Sequence, residues 1–169
     1  ALFEQLEPRI LMSATPAPIG NDVPEVQAPA TLENLQSEQI ITEIAFVDTS
    51  VENYQELLIG INSNVQIVEI QSTEDGLKKI TDTLNDHQGL SAIHIISHGK
   101  RGAISLGNTE LNSENIDLHK TQLESWAKAF TADADILIYG CDVGQDLNFI
   151  RDLSKATGAD VAASDDLTG

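Results

Sequence analysis

From residue 44 onward, short apolar runs alternate with segments whose apolar residues recur at helical spacing, and nearly every run breaks off in polar residues. Ile44 to Val47 end at Asp48, Thr49 and Ser50, and Val65 to Ile70 form a second run. Ala92 to Ser97 end at His98-Gly99, Asp135 to Tyr139 at Gly140-Cys141-Asp142, and Asp160 to Ala163 at Ser164-Asp165-Asp166. Runs this short and this apolar read as strands buried within a sheet. The intervening segments each present one apolar helical face: Tyr54, Leu57, Leu58 and Ile61, then Leu77, Ile80 and Leu84. Leu123, Trp126, Ala127 and Phe130 mark a third, and Phe149, Ile150, Leu153 and Ala156 a fourth, which Gly158 is expected to stop. Such alternation implies right-handed crossovers and a mainly parallel sheet with helices on both faces, a three-layer α/β/α domain. Residues 102 to 112 depart from it: they alternate, turn at Gly107-Asn108, and read as a small hairpin.

Ahead of this pattern the chain differs in kind. All five prolines lie at or before position 29. Residues 1 to 14, ALFEQLEPRILMSA, form a short amphipathic segment broken by Pro8. Residues 15 to 39 hold Pro16, Pro18, Pro24 and Pro29 among acids, Gln and Ala, and read as an extended acidic linker. The α/β domain then occupies residues 40 to 169. The chain stops four residues after Asp165, before any final strand or closing helix, so this domain is expected to be truncated there.

Composition narrows the function. Aromatics are 4% of the chain against 41% apolar residues in all, so Val, Ile, Leu and Ala must fill the core. A net charge of −18 would repel a phosphate backbone and argues against nucleic-acid binding. It suits a secreted or surface protein, calcium-rich surroundings or basic substrates, and equally solubility alone. No Asp-x-Asp-x-Asp-Gly loop supports a calcium module. No apolar run approaches membrane-spanning length, and no basic region followed by an apolar stretch marks a Sec-type signal peptide. Cys141 is the single cysteine, which excludes an intrachain disulfide and multi-cysteine zinc sites.

In an open α/β sheet, ligands bind outside the carboxyl ends of the strands. Asp48, His98, Cys141 and Asp165-Asp166 end strands and should project from one edge. If the strands carrying His98 and Cys141 are neighbours, an imidazole stands beside a thiol, where it can assist thiolate formation and protonate a leaving amine. Gly99 and Gly140 flank the pair, and glycine lets backbone amides approach a developing oxyanion. Each residue alone is more often structural: a strand-end histidine as a satisfied polar group, a lone cysteine as a small buried hydrophobe. His94 shares a strand face with Ile96 and His98, but a His94, His98 and Cys141 metal site lacks a fourth ligand, so neither metal nor cofactor is expected.

The runs AIHIISHG and DILIYGCDVG resemble the signature strands of the caspase-like cysteine peptidases, the clan of caspases, legumain, gingipain, clostripain and separase. The resemblance implies His98 as general acid/base, Cys141 as nucleophile, and the amides of Gly99 and Cys141 as oxyanion donors. Residues 43 to 169 are also similar to an uncharacterised domain family found near the N-termini of very large bacterial surface and adhesin-like proteins. Many of those begin with a motif like LEPRxLLSA; LEPRILMSA, from Leu6 to Ala14, matches it with Met12 in place of a Leu. This implies a secreted or surface location.

In the peptidase clan, the pocket for the residue before the cut draws on the ends of the first, fourth and fifth strands. The matching positions are Asp48, Asp142, Asp165 and Asp166, all acidic, and a carboxylate cluster favours Arg, with Lys second. Arg9, in an extended Pro8-Arg9 context, is then a candidate cleavage site, and about thirty residues of linker would let the N-terminal segment reach the active-site edge. The rivals are a sorting or anchoring role for that motif, and a non-catalytic module retaining the peptidase fold for sorting, retention or adhesion.

Overall fold

A computed structural model describes residues 40–59 and 61–166. The N-terminal motif, the proline-rich linker and Arg9 lie outside the described residues. Within them the apolar runs become β1 (Glu43–Asp48), β2 (Val65–Ile70), β3 (Leu90–Ile96), β7 (Phe130–Tyr139) and β8 (Asp160–Ala163). They pair in parallel in the order β2-β1-β3-β7-β8. The hairpin forms a separate antiparallel sheet of β4 (Gly99–Lys100), β5 (Ala103–Leu106) and β6 (Thr109–Asn112).

Strand order fixes the layers. The chain moves one way across the sheet from β1 to β2, and the other way from β2 through β3 and β7 to β8. Right-handed crossovers therefore put α1 (Tyr54–Leu57) on one face, and α2 (Gly76–Asn85), α3 (Lys120–Trp126) and α4 (Leu147–Thr157) on the other. The result is a three-layer α/β/α arrangement with one thin layer. On the three-helix face, Ile44 and Phe46 of β1, Ile93 and Ile95 of β3, and Ile136 and Ile138 of β7 stand in register and are buried. Each contributes about 1.5–3 kcal/mol on burial. Trp126 joins them while its indole N–H donates to Thr81 Oγ1 at 2.9 Å, tying α3 to α2. Among the described residues no helix is long and apolar enough to cross a membrane.

Three elements differ from the sequence expectation. The first helix covers only Tyr54–Leu57; Asn53 enters it in the left-handed region without a side-chain cap, and Leu57 and Ile59 are 54% and 80% exposed. With no cap and no buried face, nothing extends it to Ile61. Phe130 belongs to β7 and not to the helix before it. The Leu90 N–H donates to the Ala129 carbonyl at 2.9 Å, so pairing with β3 captures the chain as soon as α3 ends. Asp48 extends β1 by one residue beyond the apolar run.

The hairpin tip is wedged against the β2–α2 loop. Gly107 has φ +60, and a Cβ there would lie 2.2 Å from the Glu74 carbonyl oxygen and 2.7 Å from that of Gln71. Gly107→Ala should cost at least about 2 kcal/mol in urea unfolding, from a clash and a left-handed alanine together; an unchanged midpoint would contradict this packing. At the start of α4, the Asp146 carboxylate accepts from the amides of Asn148 (3.0 Å) and Phe149 (3.3 Å) and from the Ser113 hydroxyl (3.1 Å). The Phe149 amide, then that of Asn148, the Ser113 hydroxyl and the Arg101 charge hold this carboxyl below its usual value of 3.8. A depressed folded-state value stabilises the protein above the unfolded pKa, and the effect is lost as pH falls through the folded one. Asp146→Asn should therefore lower the urea midpoint at about pH 6 and converge on the native protein towards about pH 2; a gap independent of pH would contradict this.

Candidate functional site

β3 delivers His98 and β7 delivers Cys141 to the same edge. The last paired residues are Ile96 and Tyr139, and the Ser97 N–H continues the ladder by donating to the Tyr139 carbonyl at 3.2 Å. His98 and Cys141 each stand two residues past that pair, on adjacent parallel strands. The two strand ends abut because both carry glycine. A Cβ on Gly99 would lie 2.3 Å from Val143 Cγ2 and 3.1 Å from the Cys141 carbonyl oxygen; one on Gly140 would lie 3.4 Å from Gly99 Cα. Larger residues would force the strand ends apart.

Each member is then fixed locally. His98 is exposed, and its Nε2–H donates to the Ser50 carbonyl at 3.1 Å. Nδ1 is therefore the unprotonated nitrogen of the neutral ring. Cys141 is half-buried, and the next residue, Asp142, has φ 58 and turns the chain sharply out of the strand. The Ser105 N–H donates to the His98 carbonyl at 2.9 Å, which makes Gly99 and Ile104 a non-hydrogen-bonded pair of the β4–β5 ladder. The Gly99 amide thus takes no part in that ladder.

Three of the four acids assemble beside this pair. The Asp142 N–H donates to the Asp166 carbonyl at 3.1 Å and the Gly144 N–H to that of Ser164 at 2.8 Å. Gln145 Nε2 donates to Asp142 Oδ1 at 2.8 Å and to the Asp165 carbonyl at 3.1 Å. The loop after β7 and the segment after β8 are therefore laced together, with Asp165 and Asp166 exposed. A groove of about 260 Å³, lined by Leu137, Tyr139, Ala162 and Ala163 among others, runs up to Ser164, the residue before these acids.

Asp48 stands apart from them. It is 1% exposed, and both its oxygens are occupied: Oδ1 accepts from the Ser50 amide (2.9 Å) and hydroxyl (2.6 Å), Oδ2 from the Gly107 amide (2.8 Å). It does not open onto the edge where Asp142, Asp165 and Asp166 lie, because the hairpin tip closes over it. His94 also has its own partners, Glu43 Oε2 at 2.8 Å from Nε2 and a stacked Tyr139 ring at 6.0 Å. Among the described residues no three His, Cys, Asp or Glu side chains converge to hold a metal ion.

Sequence reasoning missed Ser50 and Gln145. Ser50 acts through its backbone carbonyl, which no residue type signals; its place in the polar end of the first run was the sole hint. Gln145 carries no signal at all.

No curated protein matches the chain. One family model matches residues 44–169, described as a domain of unknown function, DUF4347. That match spans every described strand and helix from the second residue of β1 onward, including His98, Cys141 and the three clustered acids. The chain therefore belongs to the DUF4347 family of domains of unknown function.

Proposed function

We propose that this domain is a cysteine endopeptidase of the caspase–gingipain–separase type that cuts after basic residues. The observation that carries the reading is the β3–β7 register, whose continuation brings His98 and Cys141 level with each other, two residues past the last pair on adjacent central strands. A parallel α/β sheet places ligands at that edge, and the fold, the flanking glycines and the His98 tautomer all support a thiol–imidazole pair there.

In this reading the Cys141 thiolate attacks the scissile carbonyl carbon, and the carbonyl π electrons move onto oxygen. The amides of Gly99 and Cys141 stabilise that oxyanion. When the tetrahedral adduct collapses, the C–N bond breaks and the leaving amine takes a proton from His98. Water then attacks the thioester, gives a proton to His98, and the C–S bond breaks to restore the thiolate. Asp142, Asp165 and Asp166 supply negative charge for the residue before the cut, favouring the bidentate guanidinium of Arg over the point charge of Lys. The LEPRILMSA motif supports a place near the N-terminus of a large bacterial surface or secreted protein, with Arg9 as a self-processing site.

An arginyl chloromethyl ketone should add once to the protein by intact mass, and not at all to Cys141→Ala or His98→Ala. An aspartyl analogue should react at least about tenfold more slowly. No adduct, with a small thiol reagent still modifying Cys141, would instead support a non-catalytic module of this fold. A synthetic peptide of residues 1–16 should be cut between Arg9 and Ile10; a peptide left intact by excess enzyme that still takes the label would end the self-processing idea.

A further inference from the structure

We infer that Asp48 is the positioning residue of the site, holding Ser50 so that its carbonyl fixes the tautomer and orientation of His98; this deepens the peptidase reading and rests on it for its catalytic meaning. The case begins with cost. Asp48 is a carboxylate buried to 1% exposure at the end of an apolar strand, and among the described residues it forms no ion pair. A buried carboxylate is costly unless it is hydrogen-bonded. Three neutral donors meet it: the amide and hydroxyl of Ser50, and the amide of Gly107. Hydrogen bonds to a charged acceptor are shorter and stronger than neutral ones, as the 2.6 Å Ser50 hydroxyl contact reflects.

The consequence falls on Ser50. Its two donors are both committed to Asp48 Oδ1, so the residue is held at two points, and its remaining polar group, the carbonyl, receives the His98 Nε2–H at 3.1 Å. Oδ2 anchors the same carboxylate to the hairpin tip, 59 residues along the chain. A single buried charge thus ties the end of β1, the β5–β6 turn and, through Ser50, the imidazole at the end of β3. Because Nε2 keeps its proton on the Ser50 carbonyl, Nδ1 is left as the acceptor in the neutral ring. Asp48 touches neither His98 nor a substrate, so its action is indirect.

The test reads the ring nitrogens directly, on uniformly ¹⁵N-labelled protein at alkaline pH, by long-range ¹H–¹⁵N correlation of the histidine side chains. His98→Ala assigns the signals. Wild type should show His98 in the Nε2–H form. Asp48→Asn keeps one acceptor oxygen for Ser50 but sets an amide donor against the Gly107 N–H, and should change the tautomer ratio about tenfold towards Nδ1–H. Ser50→Ala removes the hydroxyl donor alone and should shift the ratio in the same direction by less, which keeps the test sharp if the Asp48 variant fails to fold. A folded Asp48→Asn, or a Ser50→Ala variant, with an unchanged His98 ratio overturns the inference, as does a wild-type ring in the Nδ1–H form. The readout needs no substrate. If the tautomer responds as expected while His98→Ala leaves the arginyl ketone label intact, the positioning stands and the peptidase reading falls.

Discussion

The parallel pairing of β3 with β7 is the constraint on which the candidate site depends. Parallel strands are held by slanted, evenly spaced hydrogen bonds, and a shift of one residue would turn every side chain to the opposite face. Here such a slip is opposed by Ile93 and Ile95, which lie beside Ile136 and Ile138 in the buried core and would be turned out of it. The same register that buries those isoleucines leaves His98 and Cys141 level with each other past the last pair. Gly99 and Gly140 then let the two strand ends come together. Core packing and the chemistry of the edge are one geometric requirement.

Around that pair, the loops are organised by two different devices. On the Cys141 side, backbone bonds and the Gln145 side chain lace the segment after β7 to the segment after β8, gathering Asp142, Asp165 and Asp166. On the His98 side, a buried carboxylate replaces the lacing. Asp48 gathers donors from two loops distant in sequence, and the close fit of the Gly107 tip against the β2–α2 loop keeps its third donor in place. Acidic residues at strand ends thus stand in two environments here, Asp48 buried and Asp165 and Asp166 exposed.

Much of this was legible in the sequence for a physical reason. Buried strands announce themselves as short apolar runs, so β1, β2, β3 and β8 and the turn of the hairpin fell within a residue or two of their expected places. Helices with an apolar face and a stop were equally plain: Phe149, Ile150, Leu153 and Ala156, ahead of the Gly158 stop, lie in α4. What failed depended on partners remote in sequence. Phe130 carries helical spacing, yet Leu90 recruits it into the sheet. Tyr54 to Ile61 carry a helical pattern, yet no burial sustains it beyond Leu57. Asp48 looks like any acid at a strand end until the hairpin tip closes over it, and nothing near residue 48 foretells Gly107. The Ser50 carbonyl lies beyond any reading of side chains.

The central claim is that His98 and Cys141 act as one unit, and the most direct measurement is the rate at which iodoacetamide alkylates Cys141 in the native and His98→Ala proteins at neutral pH. This reagent is small and uncharged, so it reports the thiol's activation independently of any substrate pocket. Loss of the imidazole is predicted to slow alkylation at least about tenfold while the fold is retained. Equal rates in the two folded proteins would mean that the histidine does not activate the thiol, and would contradict the account.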